Sequence, residues 1–132
     1  MRDVLRWLLG LVMVSVGILH FTADDLFVQI VPPHFPSPYV LVWLSGLIEA
    51  LLGVALQLPV TRRRAGFGLV ALYVAVFPAN VYMTLANVQL HGLPSYLAQP
   101  SPLALWLRLP FQLVFIAWAL WVSGIWRKPE AS

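Results

Sequence analysis

Five side chains able to ionise or to hold a polar ligand lie inside long apolar stretches of this sequence. They are His20, Glu49, Asn80, Arg108 and Gln112. A carboxylate and an imidazole can exchange protons, while a guanidinium and amides can hold polar groups by hydrogen bonds. Glu49 stands near the middle of "YVLVWLSGLIEALLGVALQLP" (residues 39–59). Because an ionised carboxylate is costly in hydrocarbon, Glu49 needs a nearby cation or a proton.

The composition explains why these groups are unusual. Of the 132 residues, 61% are hydrophobic and 10% are charged, against roughly 45–50% and about 25% in ordinary globular proteins. A small soluble domain has too much surface to cover with so few charges. The sequence therefore predicts one domain, residues 1–132, with a lipid bilayer as its main solvent.

Four continuous apolar segments are the elements that must position these side chains. Each has about the 20 residues that a helix needs to cross a hydrocarbon core of roughly 30 Å. None shows the alternation with a period of two that a barrel strand requires. We predict an all-α fold, a four-transmembrane-helix bundle, with helices at about 4–21, 39–58, 65–86 and 103–126.

The first link between spans contains a short amphipathic pattern. In "DDLFVQIV" the apolar side chains recur at helical spacing, at Leu26, Phe27, Ile30 and Val31. The four prolines of residues 22–38 prevent the whole link from forming one helix. We predict a short amphipathic helix in this first outer loop, lying on or dipping into the membrane face, with Asp24 or Asp25 at its N-cap.

The basic residues indicate orientation rather than nucleic-acid binding. Seven of the eight lie near the two termini or in the short link between the second and third spans: Arg2, Arg6, Arg62, Arg63, Arg64, Arg127 and Lys128. With four spans these places share one side, and the positive-inside rule makes that side cytoplasmic. We predict an integral protein of a bacterial-type cytoplasmic membrane, with both termini cytoplasmic and no nucleic-acid partner.

Helical spacing turns the polar side chains of each span toward one interior region. Ser45 and Glu49 share a face of the second span, and Arg108 and Gln112 share a face of the fourth. The stripe on the third span is Tyr73, Phe77, Asn80, Thr84 and Asn87. The stripe on the first is Arg6, Gly10, Met13, Gly17 and His20. Every span therefore contributes polar groups to the bundle interior.

The direction of each span places most of these groups at one depth, the outer half of the bundle. The candidate ligand-binding residues are His20, Ser45, Glu49, Asn80, Arg108 and Gln112. We expect the long side chain of Arg108 to reach toward Glu49, which lies near the midplane. Two interpretations of such a pair stay open: a structural ion pair that fixes helix packing, and a ligand or proton site.

Pro78 is expected to kink the third span and to leave space beside these groups. It cannot donate a hydrogen bond to the carbonyl of Val74. Asn80 is then either part of the ligand site or the side chain that satisfies this carbonyl.

Several kinds of chemistry are excluded by residue types. The chain contains no cysteine, so disulfides, thiolate metal sites and cysteine nucleophiles are ruled out. Only His20 of the three histidines is expected to face the bundle interior, so neither haem nor another metal site is expected. We expect no intrinsic cofactor, and the sequence leaves open whether the chain is an enzyme.

Four stretches together resemble the DoxX-like family of small four-helix membrane proteins. They are "GILHF", "FVQIVPPHFPSP", "LVWLSGLIEALLGVALQLPVTRRRAG" and "VFPANVYM", within residues 17–83. The fourth span resembles the family only loosely. The resemblance implies association with a membrane thiosulfate:quinone oxidoreductase or with oxidoreductase complexes that respond to oxidative stress. The positions carried over are His20, Ser45, Glu49, Pro78 and Asn80, with no established catalytic role.

These observations lead to one main function and two alternatives. The main interpretation is a redox-associated subunit that binds a quinone or another lipid-like ligand in the polar pocket, with an oxidoreductase or another membrane protein as its partner. One alternative is a non-catalytic membrane chaperone or assembly factor that binds its partner through its lipid-facing surface or through the amphipathic outer link, which carries Phe27 and Ile30. The other is a small-molecule or lipid transporter or sensor. Four spans without an inverted repeat disfavour an alternating-access carrier unless the chain forms a homo-oligomer.

Overall fold

The computed structural model describes residues 1–86, 88–94 and 101–127, and every regular element in them is a helix. The helices are α1 Arg2–Thr22, α2 Asp24–Val28, α3 Pro38–Ala55, α4 Arg62–Leu85 and α5 Pro102–Ser123. All except α2 are long and apolar enough to cross a membrane. The prediction of an all-α, four-span bundle with a short helix in the first link is confirmed. The assignments that involve Asn87 and Lys128 lie outside the described residues.

Local side chains decide where the helices begin and end. α5 begins after Ser101, whose hydroxyl oxygen accepts a hydrogen bond from the amide of Ala104 at 3.2 Å, and ends at Gly124 with a φ of 82°. α3 ends earlier than the sequence predicts, because the hydroxyl of Thr61 donates to the Ala55 carbonyl at 2.8 Å. The guanidinium of Arg62 covers the next two carbonyls. Predicted and observed helix ends differ by three residues at most.

Large apolar side chains cover the outside of all four long helices. Leu11, Leu51, Val74 and Leu113, one from each helix, are 65%, 60%, 61% and 64% exposed. A soluble monomer rarely exposes apolar surface around its whole circumference. Together with the length of the helices, this exposure identifies an integral membrane protein whose outer surface contacts lipid.

The first of two closely packed helix pairs consists of α1 and α3, which run antiparallel. Gly10 faces Gly53, and Gly17 faces Gly46. A Cβ atom at Gly17 would lie 2.6 Å from the carbonyl oxygen of Gly46, closer than carbon and oxygen can approach. Small residues at both crossings therefore let the two backbones touch, as is common between membrane helices.

The second pair consists of α4 and α5. Near the arginine end of the bundle, defined as the end that carries Arg2 and Arg62, a Cβ atom at Gly66 would lie 2.2 Å from the hydroxyl oxygen of Ser123. Toward the opposite end, which carries α2 and is called the α2 end, Asn80 and Gln112 join these helices by a hydrogen bond. The pair is thus held at both ends, by close packing and by polar contacts.

Around the bundle the helices follow the order α1, α3, α4, α5, so that α1 is diagonal to α4 and α3 is diagonal to α5. The buried apolar core lies mainly toward the arginine end and consists of Leu9, Met13, Leu56, Ala65, Leu69, Ala119 and Val122. The contact of Leu52 with Gly68, which joins the two pairs, lies on the same side. Space remains between the pairs toward the α2 end.

Candidate functional site

A cavity of about 410 Å³ lies between α2, α3 and α4. Most of its wall is apolar and includes Phe27 and Ile30 from the first link. Its polar lining residues are His20, Ser45, Glu49, Tyr73, Asn80 and Arg108. Pro78 also lines it, so the space predicted beside this proline is present. An apolar cavity with few polar groups is typical of a site for a small amphiphilic ligand.

A second cavity of about 370 Å³ lies between α1, α4 and α5. Val12 and Met13 line it from α1, and Phe111 and Gln112 line it from α5. The two cavities share five lining residues, Glu49, Tyr73, Val76, Asn80 and Arg108. These shared side chains stand between the two helix pairs, where the cavities meet.

The structure brings all six predicted site residues to this region. His20, Ser45, Glu49, Asn80 and Arg108 line the first cavity, and Gln112 lines the second. Both cavities lie toward the α2 end, which the sequence predicts to be the outer end. That these residues bind a ligand stays a prediction.

His20 forms the ion-pair contact that the structure shows for Glu49. Its Nδ1 is 3.6 Å from a carboxylate oxygen of Glu49. The same nitrogen lies 2.7 Å from the carbonyl oxygen of Val16, and since a carbonyl only accepts, Nδ1 carries a hydrogen. The imidazole also stacks on Phe27, with the ring centroids 4.0 Å apart. The contacts with Val16 and Phe27 therefore hold the ring beside the carboxylate.

Arg108 does not pair with Glu49, so that expectation is wrong. Within the described residues no ion pair joins the two side chains, and the guanidinium Nη1 instead donates to the sulfur of Met83 at 2.8 Å. The physical reason is the arrangement of the helices. α3 and α5 are diagonal to each other, and the cavities separate the two charges.

A chain of hydrogen bonds links α4 to α5 beside the cavities. The amide nitrogen of Asn80 donates to the amide oxygen of Gln112 at 2.6 Å. Gln112 in turn donates to the backbone carbonyl of Tyr73, and the hydroxyl of Tyr73 donates to the sulfur of Met13 at 3.0 Å. Gln112, rather than Asn80, therefore donates a hydrogen bond to a backbone carbonyl in the helical turn that precedes Pro78.

The α2 segment closes the α2 end of the first cavity. Neither Asp24 nor Asp25 is the N-cap of α2, contrary to the prediction, because the helix begins at Asp24 itself and Ala23 stands at the cap position. Both carboxylates accept hydrogen bonds from α3. Asp24 accepts from the indole of Trp43 at 3.0 Å, and Asp25 accepts from the hydroxyl of Tyr39 at 2.5 Å. These bonds hold Phe27 and Ile30 toward the cavity rather than toward the surrounding lipid.

A second set of hydrogen bonds joins this segment to the link that follows α4. The side-chain amide of Gln29 exchanges two hydrogen bonds with the backbone of His91, at 3.1 Å and 2.7 Å. The first link is therefore bound to its neighbours on both sides.

A family model described as "Domain of unknown function (DUF8561)" matches residues 9–123, which is 115 of the 132 residues. The chain belongs to this family. The match includes every residue that lines the two cavities. No curated protein and no solved structure matches the DUF8561 chain. The resemblance to the DoxX-like family stays a prediction.

Two site residues of this DUF8561 protein are not among the candidate ligand-binding residues. Helix spacing places Tyr73 on the interior stripe with Asn80, and the structure shows that it lines both cavities. Met83 holds the Arg108 guanidinium through its sulfur. No sequence pattern indicates that contact, because it depends on how α4 and α5 pack.

Proposed function

We propose that this DUF8561 protein is a redox-associated membrane subunit that binds a quinone or another lipid-like ligand between its helix pairs. The observation that carries the proposal is that Glu49 and Arg108 line the same apolar cavities without pairing with each other. Charged groups in an apolar interior are rare and costly, and usually serve a function. A volume of about 410 Å³ also falls within the roughly 300–1,000 Å³ of ligand pockets.

The division between apolar and polar lining supports this class of ligand. Apolar side chains from the first link, α3 and α4 form walls suited to an isoprenoid or acyl chain. Arg108 and Asn80 offer hydrogen-bond donors for ring oxygens, and Glu49 offers a carboxyl group that can take or supply a proton. The proposal requires a partner protein as the electron donor, and the DoxX-like resemblance points to such an oxidoreductase.

The proposal includes the orientation of the chain in the membrane. Arg2, Arg6 and Arg62 lie together at the arginine end, where their charges interact. By the positive-inside rule this end faces the cytoplasm of a bacterial-type membrane. The cavities then lie toward the outer face.

Mass spectrometry of lipids that co-purify with the protein tests the proposal. We expect a quinone with the wild-type chain and with Leu51→Ala, which changes only a lipid-facing side chain. Arg108→Gln is expected to retain less than about a tenth of it, since this variant removes a charged hydrogen-bond donor to a ring oxygen. A wild-type sample without quinone, together with unchanged quinone reduction in membranes that lack the protein, contradicts the proposal.

The chaperone alternative keeps its lipid-facing surface, but the first link is less suited to bind a partner. Phe27 and Ile30 line the first cavity, where a protein partner cannot cover them without displacing the first link. The transporter or sensor alternative uses the same cavity and is separated from the main proposal by ligand uptake into liposomes. We favour the redox-associated function because the polar groups are those that a ring with oxygen substituents needs.

A further inference from the structure

The two helix pairs present opposite charges to the space between them. Glu49 belongs to the α1–α3 pair and Arg108 to the α4–α5 pair, on helices that lie diagonally across the bundle. Both side chains line both cavities. The space that separates them is thus the place where the two cavities meet.

Among the described residues, Glu49 has no hydrogen-bond partner and Arg108 has a single weak one. In the described part of the chain no donor lies within hydrogen-bonding distance of the Glu49 carboxylate, because His20 Nδ1 is 3.6 Å away and contacts the Val16 carbonyl instead. The hydrogen-bond partner of Arg108 in that part is the sulfur of Met83, a weak acceptor. A guanidinium has five N–H donors, so most of the donors of Arg108 have no acceptor in the described part of the chain.

We propose that the polar head of the bound ligand bridges Glu49 and Arg108, and that the site therefore prefers a quinol to the corresponding quinone. The inference rests on the proposed function and specifies its ligand. A guanidinium only donates, so the head needs an oxygen acceptor on the Arg108 side. In its ionised form the Glu49 carboxylate only accepts, so with Glu49 acting as the proton acceptor the head needs a hydroxyl donor on that side. The two hydroxyls of a quinol meet both requirements, whereas the two carbonyls of a quinone meet only one.

Decylubiquinone and its dithionite-reduced quinol are suitable probes, because their short tails keep them measurable with the purified full chain. We expect the wild-type protein and the Leu51→Ala control to bind the quinol roughly tenfold more tightly than the quinone, the ratio of one charge-assisted hydrogen bond. Glu49→Gln is expected to bring the two affinities within about twofold of each other, since an amide can donate as well as accept. Arg108→Gln is expected to weaken both by about tenfold.

A double-mutant cycle separates bridging from a direct ion pair. Without ligand, the shifts in Tm of Glu49→Gln and Arg108→Gln should add in the double variant, because the two side chains do not touch. For quinol affinity the effects should not add, because one molecule contacts both. The ligand-free unfolding transitions also show whether each variant is folded.

Three results overturn the inference. If the wild-type chain binds quinol and quinone equally, the ligand head does not bridge Glu49 and Arg108, but the proposed function is not contradicted. Coupled Tm shifts in the absence of ligand indicate a direct contact of the two charges instead. If the wild-type chain binds neither probe, the inference and the proposed function both fail.

Discussion

At the scale of single residues, the side chains around the cavities differ in how well their polar groups are satisfied. Asn80 and Gln112 each find a partner on the neighbouring helix. Glu49 and Arg108 do not form an ion pair, although a buried charge without a partner costs more free energy than an unpaired amide. The amides therefore hold the α4–α5 pair together, whereas the charged groups face the cavities.

Gln112→Leu tests the structural role of the amides. Leucine has nearly the same size but leaves the Asn80 amide and the Tyr73 carbonyl without their partner. We expect the free energy of unfolding to fall by about 1–2 kcal/mol, measured by titration with SDS in mixed micelles. Leu113→Ala, on the lipid-facing side of the same helix, should change it by less than about 0.5 kcal/mol. Equal losses in the two variants contradict the role assigned to Gln112.

At the scale of elements, the glycines determine which helices pair closely. Gly10 and Gly17 of α1 meet Gly53 and Gly46 of α3 backbone to backbone. Gly68 of α4 is also close to α3, but it faces the end of the flexible Leu52 side chain rather than a carbonyl. A larger residue than glycine therefore clashes with the backbone at the α1–α3 interface, whereas at the α3–α4 interface it meets only a movable side chain.

Gly17→Ala and Gly68→Ala form a matched comparison of these two interfaces. Each substitution removes the helix penalty of glycine, a gain of up to about 1 kcal/mol. At Gly17 the new methyl group meets the Gly46 carbonyl, and we expect a net loss of about 1–3 kcal/mol in unfolding free energy. At Gly68 the leucine can turn away, so the net change should be near zero. Two variants of equal stability show that the α1–α3 contact is not as close as described.

At the scale of the whole molecule, the apolar core lies nearer one end of the bundle and the cavities nearer the other, and they meet at Met13. The close-packed residues lie mainly toward the arginine end, and the cavities lie toward α2. One end thus provides stability and leaves the other free to hold a ligand. The orientation of the molecule then decides from which side of the membrane the α2 end is reached.

Single cysteines test that orientation directly, because the chain contains no cysteine of its own. His34→Cys places a thiol in the exposed link before α3, and Val60→Cys places one in the 88% exposed link between α3 and α4. In spheroplasts of a bacterial host, a membrane-impermeant maleimide should label the first variant at once and the second only after permeabilisation. The reverse pattern of labelling means that the arginine end faces outward.

Much of the candidate site follows from spacing along the helices. The periodicity of 3.6 residues puts Ser45 beside Glu49 and Gln112 beside Arg108, whatever the neighbouring helices do. The partners of these side chains do not follow from it. Met83 as the partner of Arg108 and Gln112 as the partner of the Tyr73 carbonyl both depend on the rotation and register of α4 against α5.

The sequence by itself determined the number of spans, their lengths within three residues, the short helix in the first link and the inward direction of the polar groups. It could do so because length, hydropathy and periodicity are local properties of the chain. Only the tertiary structure decided that Glu49 lies beside His20 rather than Arg108, and that Asp24 and Asp25 contact α3 instead of capping α2. These contacts depend on which helices are neighbours and which are diagonal, and side-chain spacing within one helix carries no information about that.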